Sequence, residues 1–429
     1  MRHPALLLIL AASAFAQVPA EDRRNREIPG THTHFQMPAY HTRAEWEARK
    51  AHLRKQILSA AGLLPLPEKT ALHPQIFGRI ENRDYSIEKV LLETMPGYYL
   101  GGNLYRPVGK SGKFPGIASP HGHWIYGRLE NTDLGSIPGR CINLARQGYV
   151  VFAYDMVGYN DTTQTPHAFG GPREQLWSFG PLGLQLWNSI RVVDFLQSLP
   201  DVDAERIGAT GASGGGTQTF LLTAVDDRVK FSAPVNMLSA IMQGGSPCEN
   251  APNLRVDAFN LEFGAMMAPR PLLMVSATGD WTRHTPREEF PAIQSIYRLY
   301  DHPENVETIQ IDAPHNYNRR SREAVYRFFG KRVLGDSDAG HFEERSFRVE
   351  QLQNMLALQN RTLPAGALSY PQLVEQWVAA AGRQNQAALG DRVALRERLS
   401  YSLLAEWPVQ VLHQADGERI VLSRAGKGD

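Results

Sequence analysis

The stretch that decides the fold is R-I-G-A-T-G-A-S-G-G-G-T-Q-T-F, residues Arg206 to Phe220. A short apolar run leads into Ser213, which is flanked by glycines, and the chain continues with residues typical of the start of a buried helix. This is the G-x-S-x-G pattern in a strand–turn–helix context. Glycines are needed because a serine on so sharp a turn has a strained backbone, and neighbouring side chains would collide with the strand and helix. The turn exposes the hydroxyl at a helix N-terminus, where negative charge is stabilised.

Taken alone, the pattern leaves two interpretations open. A glycine-rich turn between a strand and a helix can hold a nucleophilic serine, or it can bind phosphate through its free backbone N–H groups. The rest of the chain has to decide between them.

Length and composition describe a globular protein with a sizeable core. The chain has 429 residues, of which 42% are apolar and 21% are charged. Such a length predicts one large domain with additions, or two domains. The net charge is only +1, and no basic run with interleaved aromatic residues occurs, so we expect no nucleic-acid partner.

The N-terminus predicts export. Arg2 precedes the apolar run 5–12, and Ala14-Phe15-Ala16 fits a small-x-small cleavage site before Gln17. Residues 1–16 are therefore predicted to be a signal peptide, with the mature protein secreted or periplasmic. The apolar run is too short to span a bilayer, and no other stretch reaches that length, so no membrane span is expected.

Cys141 and Cys248 are the only cysteines. Export permits a disulfide, but two cysteines so far apart in sequence do not form a framework, and buried free thiols are the favoured interpretation.

Hydrophobic patterning predicts strands that alternate with helices after an antiparallel opening. Strands are predicted at 85–94, 98–106, 114–119, 149–154, 207–209, 231–235, 271–277 and 306–311, and helices at 43–63, 137–148, 184–199, 287–299 and 321–334. This order predicts the α/β-hydrolase fold, a mostly parallel central sheet flanked by helices, with an N-terminal extension and a C-terminal helical segment. Ligand chemistry is expected at the carboxyl ends of the strands.

The same patterns divide the chain into regions. After the signal peptide we expect an arm and helix at 17–75, the catalytic domain at 76–334 and a helical region at 335–407, with helices at 350–359 and 370–404. Two strands near 408–412 and 418–422 resemble the opening hairpin of a further, truncated domain. The irregular stretch 158–183 is long enough to be a cap or part of a binding site.

A catalytic triad can be assembled from the chain order. A serine hydroxyl needs a base, and the base needs an orienting group. In hydrolases with this turn the order is serine, acid, histidine, and Ser213, Asp280 and His315 follow predicted strands in that order. The alternative, non-catalytic interpretations are that Asp280 begins a turn and that His315 is a histidine of a surface loop. Three agreeing positions favour the nucleophile over the phosphate loop. Other acidic residues compete for the acid role: Glu249, Asp257 and Glu262.

The oxyanion hole is predicted from two backbone N–H groups. One belongs to Gly214, the residue after the nucleophile, and the other to His123, in the loop after the strand 114–119. His121 and His123 could instead bind metal or pack. Two histidines without a carboxylate partner make a poor metal site, as does the isolated pair His32 and His34, so no metal and no cofactor are predicted.

At this point the sequence resembles a known family. The H-G-H loop (121–123), the Q-L-W-N-S-I-R helix (185–191), the G-A-S-G-G-G elbow, the G-D-W turn and the P-H-N-Y loop are together similar to secreted bacterial α/β-hydrolases of the acetylxylan-esterase-like kind, over residues 85–334. The resemblance implies an ester hydrolase that acts on acylated polysaccharide or oligosaccharide. Glucuronoyl esterases resemble it in outline, but they carry an arginine directly after the serine, where this chain has Gly214.

Other functions and contacts remain open from the sequence. Trp124, Trp177 and Trp281 lie in or near loops at the catalytic edge, where they would stack on sugar rings or simply pack. A serine peptidase of the oligopeptidase type shares the triad, but its usual N-terminal β-propeller does not fit in this chain. A non-catalytic carbohydrate-binding protein on the same fold would have no need of the triad.

Overall fold

The computed structural model describes residues 30–403, 411–416 and 419–424. The predicted signal peptide lies outside the described residues. The strands are β1 (Gln75–Glu81), β2 (Tyr85–Met95), β3 (Tyr98–Pro107), β4 (Phe114–Pro120), β5 (Asn131–Thr132), β6 (Gly135–Ser136), β7 (Val150–Tyr154), β8 (Val202–Ala212), β9 (Val229–Val235), β10 (Leu272–Gly279), β11 (Val306–Pro314), β12 (Val411–Asp416) and β13 (Arg419–Arg424). The helices are α1 (Arg43–Ala60), α2 (Ile137–Gln147), α3 (Pro172–Leu176), α4 (Pro181–Ser198), α5 (Gly214–Val225), α6 (Asn260–Ala265), α7 (Glu289–Arg298), α8 (Arg319–Phe329), α9 (Leu352–Met355), α10 (Tyr370–Leu389) and α11 (Arg392–Leu403).

Two compact units divide the chain. One comprises residues 31–404, and the other comprises residues 1–30 together with 405–429. In the second unit, β12 and β13 pair as an antiparallel hairpin, so the two strands expected near the C-terminus are confirmed with later bounds.

A nine-stranded sheet organises the larger unit, in the order β1-β2-β3-β7-β4-β8-β9-β10-β11. The pairs from β7 to β11 are parallel, whereas β1, β2 and β3 pair antiparallel and β3 runs antiparallel to β7. The predicted α/β-hydrolase fold is confirmed. The edge strand β1 was not predicted, because its residues are only partly buried and carry weak apolar patterning.

The apolar run in β7 shows how the sheet is buried on both faces. Val150, Phe152 and Tyr154 belong to one hydrophobic cluster, and Val151 and Ala153 belong to the other. Successive side chains of a strand point to opposite faces, so an uninterrupted apolar run requires helices on both sides. α4 and α5 supply residues to the first cluster, and α2 and α8 supply residues to the second.

The prediction for the C-terminal region was partly wrong. α10 and α11 confirm the helices beyond residue 370, but of the helix predicted at 350–359 only α9 forms. Backbone groups at the end of α9 and just after it bond to β3 and to the loop after β7: the Met355 carbonyl accepts from Asn103 Nδ2 (2.9 Å), and the N–H groups of Ala357 and Leu358 donate to the carboxylate of Asp161 (2.8 Å each). Tertiary hydrogen bonds therefore replace helical ones.

Candidate active site

The predicted catalytic residues meet at one edge of the sheet. Ser213 directly follows β8, Asp280 directly follows β10, and His315 directly follows β11. The loop that begins at His121 directly follows β4. The carboxyl ends of parallel strands lie on the same side of a sheet, so segments more than a hundred residues apart in sequence lie together.

The turn at Ser213 has the strained geometry expected of a nucleophile elbow. Ser213 has φ +60° and ψ −127°, a region that residues with a side chain rarely adopt. The glycines around it are required by packing. A Cβ at Gly211 would lie 2.6 Å from the carbonyl oxygen of Gly215, and a Cβ at Gly215 would lie 2.8 Å from the carbonyl oxygen of Pro120. α5 can therefore approach the end of β4 only without side chains at these positions.

Asp280 and His315 form a close pair. His315 Nδ1 and Asp280 Oδ2 lie 2.7 Å apart, and the carboxylate of Asp280 is almost fully buried. The second oxygen, Oδ1, accepts the backbone N–H of Thr282 (2.7 Å) and its hydroxyl (2.5 Å). The carboxylate is thus held from both ends, which favours the tautomer of His315 with its proton on Nδ1.

The opposite nitrogen of the imidazole is available for proton transfer. His315 Nε2 is buried and has no hydrogen-bond partner among the described residues. It does not bond the hydroxyl of Ser213 in this geometry; in ligand-free enzymes this bond is often long and tightens only when substrate binds. The arrangement leaves Nε2 as the acceptor for a proton from a nearby hydroxyl.

Neighbouring strands anchor the loop that carries His315. The Asn316 carbonyl accepts from Asn236 Nδ2 (2.9 Å) at the end of β9. The Tyr317 hydroxyl hydrogen bonds that of Thr210 (2.6 Å) in β8, and the Tyr317 N–H donates to the Leu134 carbonyl (2.6 Å). Contacts to β8 and β9 therefore fix the base relative to the elbow.

His121 is structural and holds the predicted oxyanion loop. It is fully buried, its Nδ1 donates to the carbonyl of Gly122 (2.7 Å), and its Nε2 accepts the N–H of Met156 (2.9 Å). Burial lowers the pKa of His121 to about 3, so the ring is neutral at physiological pH. The neutral ring ties the end of β4 to the loop after β7.

His123 follows in the same loop and lies beside the elbow. A Cβ on Gly214 would lie 2.7 Å from Cε1 of the His123 ring, so this ring occupies the space that a side chain at 214 would fill. The backbone N–H of His123 has no partner among the described residues, and the first N–H groups of α5, which begin at Gly214, have no partner within the helix. Both predicted oxyanion donors therefore belong to adjacent segments.

The three tryptophans have different surroundings. The ring of Trp281 packs against that of His315 in a tilted arrangement, with centroids 4.4 Å apart. The ring of Trp124 packs against Gly135, where a Cβ would lie 2.8 Å from it. Trp177 packs on the hydrophobic core, and its carbonyl accepts from Trp377 Nε1 (2.9 Å). Among the described residues, no hydrogen bond or ring contact joins Trp177 to the triad.

The competing acidic residues have structural partners elsewhere. Glu262 pairs with Arg49, and Glu249 accepts the N–H groups of residues 245 and 246. The backbone carbonyl of Asp257 accepts from Arg49. Sequence reasoning missed Thr282, although a threonine two residues after an aspartate is a common turn pattern. It also missed His167 and Cys248, which contact His123 and for which no spacing signal exists.

The long loop between β7 and α4 lines a cavity. This cavity has a volume of about 460 Å³ and is bounded by parts of residues 169–183 and 247–253, with Gln56 of α1 and Tyr401 of α11. The triad is not part of its lining. The stretch predicted to be irregular also contains the short helix α3.

Comparison with known proteins shows which family the chain belongs to. The chain is 31% identical to the methylesterase BT1017, with a TM-score of 0.68 over 81% of this chain and 78% of that one. The chain belongs to the acetylxylan-esterase-like family of α/β-hydrolases. A "putative acetyl xylan esterase" from Bacteroides fragilis NCTC 9343 shares the fold at 14% identity, with a TM-score of 0.53 over 80% of this chain and 92% of that one.

A further relative is similar to this chain in its amino-acid sequence. "Putative hydrolase YtaP" of Bacillus subtilis (strain 168) is 27% identical over 267 residues, which are 57% of this chain and 85% of the relative. No protein-family model matches the sequence. The similarities show that the chain is a hydrolase. Both of its cysteines are buried free thiols, which is the interpretation that the sequence favoured. In the described part of the chain no helix is both long and apolar enough to cross a bilayer.

Proposed function

We propose that the protein is a serine ester hydrolase that acts on esterified carbohydrate through an acyl-enzyme. One observation carries the proposal: the pair formed by Asp280 Oδ2 and His315 Nδ1, 2.7 Å apart, lies at the same sheet edge as a serine with φ +60°. A buried carboxylate that orients an imidazole whose other nitrogen is unpartnered is the arrangement that activates a hydroxyl.

The reaction runs in two halves. Ser213 Oγ attacks the ester carbon while its proton passes to His315 Nε2, and the tetrahedral oxyanion accepts from the N–H groups of Gly214 and His123. The C–O bond breaks and the alcohol leaves with the proton from His315. Water then attacks the acyl-enzyme, gives its proton to His315 and releases the acid. Asp280 stabilises the imidazolium in both halves.

The ester class is narrowed by two similarities. Acetyl esters on xylan-like chains are the substrates implied by the sequence resemblance. The 31% identical neighbour is named a methylesterase, which favours methyl esters of sugar acids as the second candidate.

Glucuronoyl esters are disfavoured because the ring of His123 occupies the place of a side chain at 214. The oligopeptidase alternative is disfavoured because the described residues before β4 form one helix and antiparallel strands of the same sheet.

The test is hydrolysis of p-nitrophenyl acetate by the wild type and by Ser213→Ala. We expect kcat to fall by about 10⁶, since the nucleophile is lost. Ser295→Ala, on the exposed side of α7, is the matched control and should keep full activity. An inactive wild type would favour the non-catalytic carbohydrate-binding alternative, and an active Ser213→Ala would remove the serine mechanism. Acetylated xylan, a methyl-esterified polyuronate and a prolyl peptide then separate the substrate classes.

Export is also part of the proposal. It rests on residues 1–16, whose pattern is that of a signal peptide, and it suits an enzyme whose substrates are extracellular polymers. Residues 76–334 remain our proposal for the catalytic domain, since they include eight of the nine sheet strands and the triad.

A further inference from the structure

Three metal-ligating side chains converge beside the elbow. His123 Nε2 lies 3.1 Å from His167 Nε2 and 3.1 Å from Cys248 Sγ, and all three atoms lie within 4.8 Å of one another. They come from the loops after β4, β7 and β9. These loops follow parallel strands of the same sheet, so the cluster is assembled by the fold and not by a local sequence motif.

The hydrogen bonding of His167 prepares it as a ligand. Its Nδ1 donates to the carbonyl oxygen of Val157 (2.7 Å), which places the ring proton there and leaves the lone pair of Nε2 facing the cluster. Metal-binding histidines commonly have this second bond, because it fixes the tautomer and the orientation of the ring. The edge of the Tyr159 ring packs against the same imidazole, with centroids 5.0 Å apart.

The cluster contains more electron-pair donors than protons to share among them. With His167 Nε2 as an acceptor, the one proton of His123 Nε2 has two acceptors to serve, His167 and Cys248. The thiol can donate instead to the hydroxyl of Ser246 at 3.4 Å, but this leaves the sulfur lone pairs beside the imidazoles. A cation at the centre would accept electron pairs from all three atoms at once.

We propose that His123, His167 and Cys248 bind a divalent transition-metal ion of the Zn²⁺ class. Two imidazoles and a thiolate are ligands that zinc prefers over calcium or magnesium. Three protein ligands leave a fourth tetrahedral position open to water or a substrate oxygen. Cys248 is buried whereas His123 is exposed to solvent, so the site opens on the side of His123.

The position of the cluster would place a bound ion next to the reacting ester. The ring of His123 lies against the Cα of Gly214, and the backbone N–H groups of the same two residues are the proposed oxyanion donors. An ion held by this ring would therefore bind a carboxylate or hydroxyl group of a sugar next to the reacting ester. The triad chemistry does not require it, so this inference goes beyond the proposed function.

The experiment measures metal binding directly. The full chain, without a polyhistidine tag and after dialysis against a chelator, is titrated with Co²⁺ and the Co²⁺ is then displaced by Zn²⁺. We expect one ion per chain and a thiolate-to-metal absorption band that Zn²⁺ removes. Cys248→Ser and His167→Gln should each lower the affinity by at least about 100-fold, since even outer partners of metal ligands contribute 10–100-fold.

Matched controls separate the site from other thiols and imidazoles. Cys141→Ser removes the other buried thiol, and His341→Gln removes a histidine paired with Asp336 on the surface; both should bind like the wild type. Ser213→Ala should also bind the ion while losing esterase activity, so failure of one proposal is distinguishable from failure of the other.

Two results would overturn the inference. One is a wild type that takes up no stoichiometric Zn²⁺ or Co²⁺. The other is retention of the absorption band and affinity in His167→Gln, whose partly exposed ring can be replaced with less disturbance of packing than the buried thiol. Circular dichroism of each variant establishes that it is folded before titration.

Discussion

His121 makes stability depend on pH in a way that can be measured. The ring is fully buried and neutral, with Nδ1–H donating to Gly122 and Nε2 accepting from Met156. Burial, and then the nearby Arg128, His123 and Arg140, lower its pKa from 6.5 to about 3. Charging this ring in the folded state would remove the bond to Met156 and place a cation near two others. The perturbation we choose is His121→Gln, which keeps an acceptor and a donor but does not titrate.

The sign and size follow from linkage. The unfolded chain protonates His121 below pH 6.5, whereas the folded chain stays neutral until about pH 3. Between these values the unfolded state binds more protons, so the stabilising contribution is fully present above pH 6.5 and is lost as the pH falls. Each pH unit is worth about 1.4 kcal/mol. A fall from pH 6.5 to 5 should therefore cost the wild type about 2 kcal/mol through this one residue.

The assay is urea unfolding of both proteins at about pH 7.5 and about pH 5. Other titrating groups contribute equally to both proteins, so the difference between their pH dependences isolates His121. We expect the wild type to lose about 2 kcal/mol more free energy of unfolding than His121→Gln over this interval. Equal losses in the two proteins would refute the argument that His121 is held neutral in the fold.

Three further changes test the site and its supports. Asp280→Asn should lower kcat on p-nitrophenyl acetate by about 10⁴ because the wrong tautomer of the base is favoured; an unchanged kcat would exclude Asp280 from the reaction. Gly211→Ala places a Cβ 2.6 Å from a carbonyl oxygen of α5 and should lower the free energy of unfolding by about 1–3 kcal/mol. The control is Gly245→Ala, whose Cβ would meet nothing within 4 Å and which should leave stability unchanged. Equal effects of the two changes would contradict the packing argument. Asp161→Asn removes one of the two carboxylates that pair with the buried guanidinium of Arg128 and should cost about 1.5–3 kcal/mol by denaturant unfolding. Glu375→Gln, in an exposed pair, should barely change stability. Equal losses in these two variants would contradict the argument that the Arg128 pair is buried.

Local chemistry explains which elements could be predicted. The apolar run of β7 predicts a strand because its residues must be covered on both faces, and the glycine pattern at 211–216 predicts the elbow because no side chain fits there. The helix expected at 350–359 failed for the opposite reason. Its backbone bonds to Asn103 and Asp161, and partners so distant in the sequence leave no periodic signal.

The sequence by itself determined the fold class and the candidate triad at Ser213, Asp280 and His315, because strand ends and glycine turns are local features in a known order. Only the tertiary structure decided how these residues are supported: Thr282 on the carboxylate and the ring of His123 over the glycine after the serine. It also decided the cluster of His123 with His167 and Cys248. The reason is physical: a parallel sheet brings the loops after separate strands to one edge, and contacts between those loops are set by packing, which the chain order does not encode.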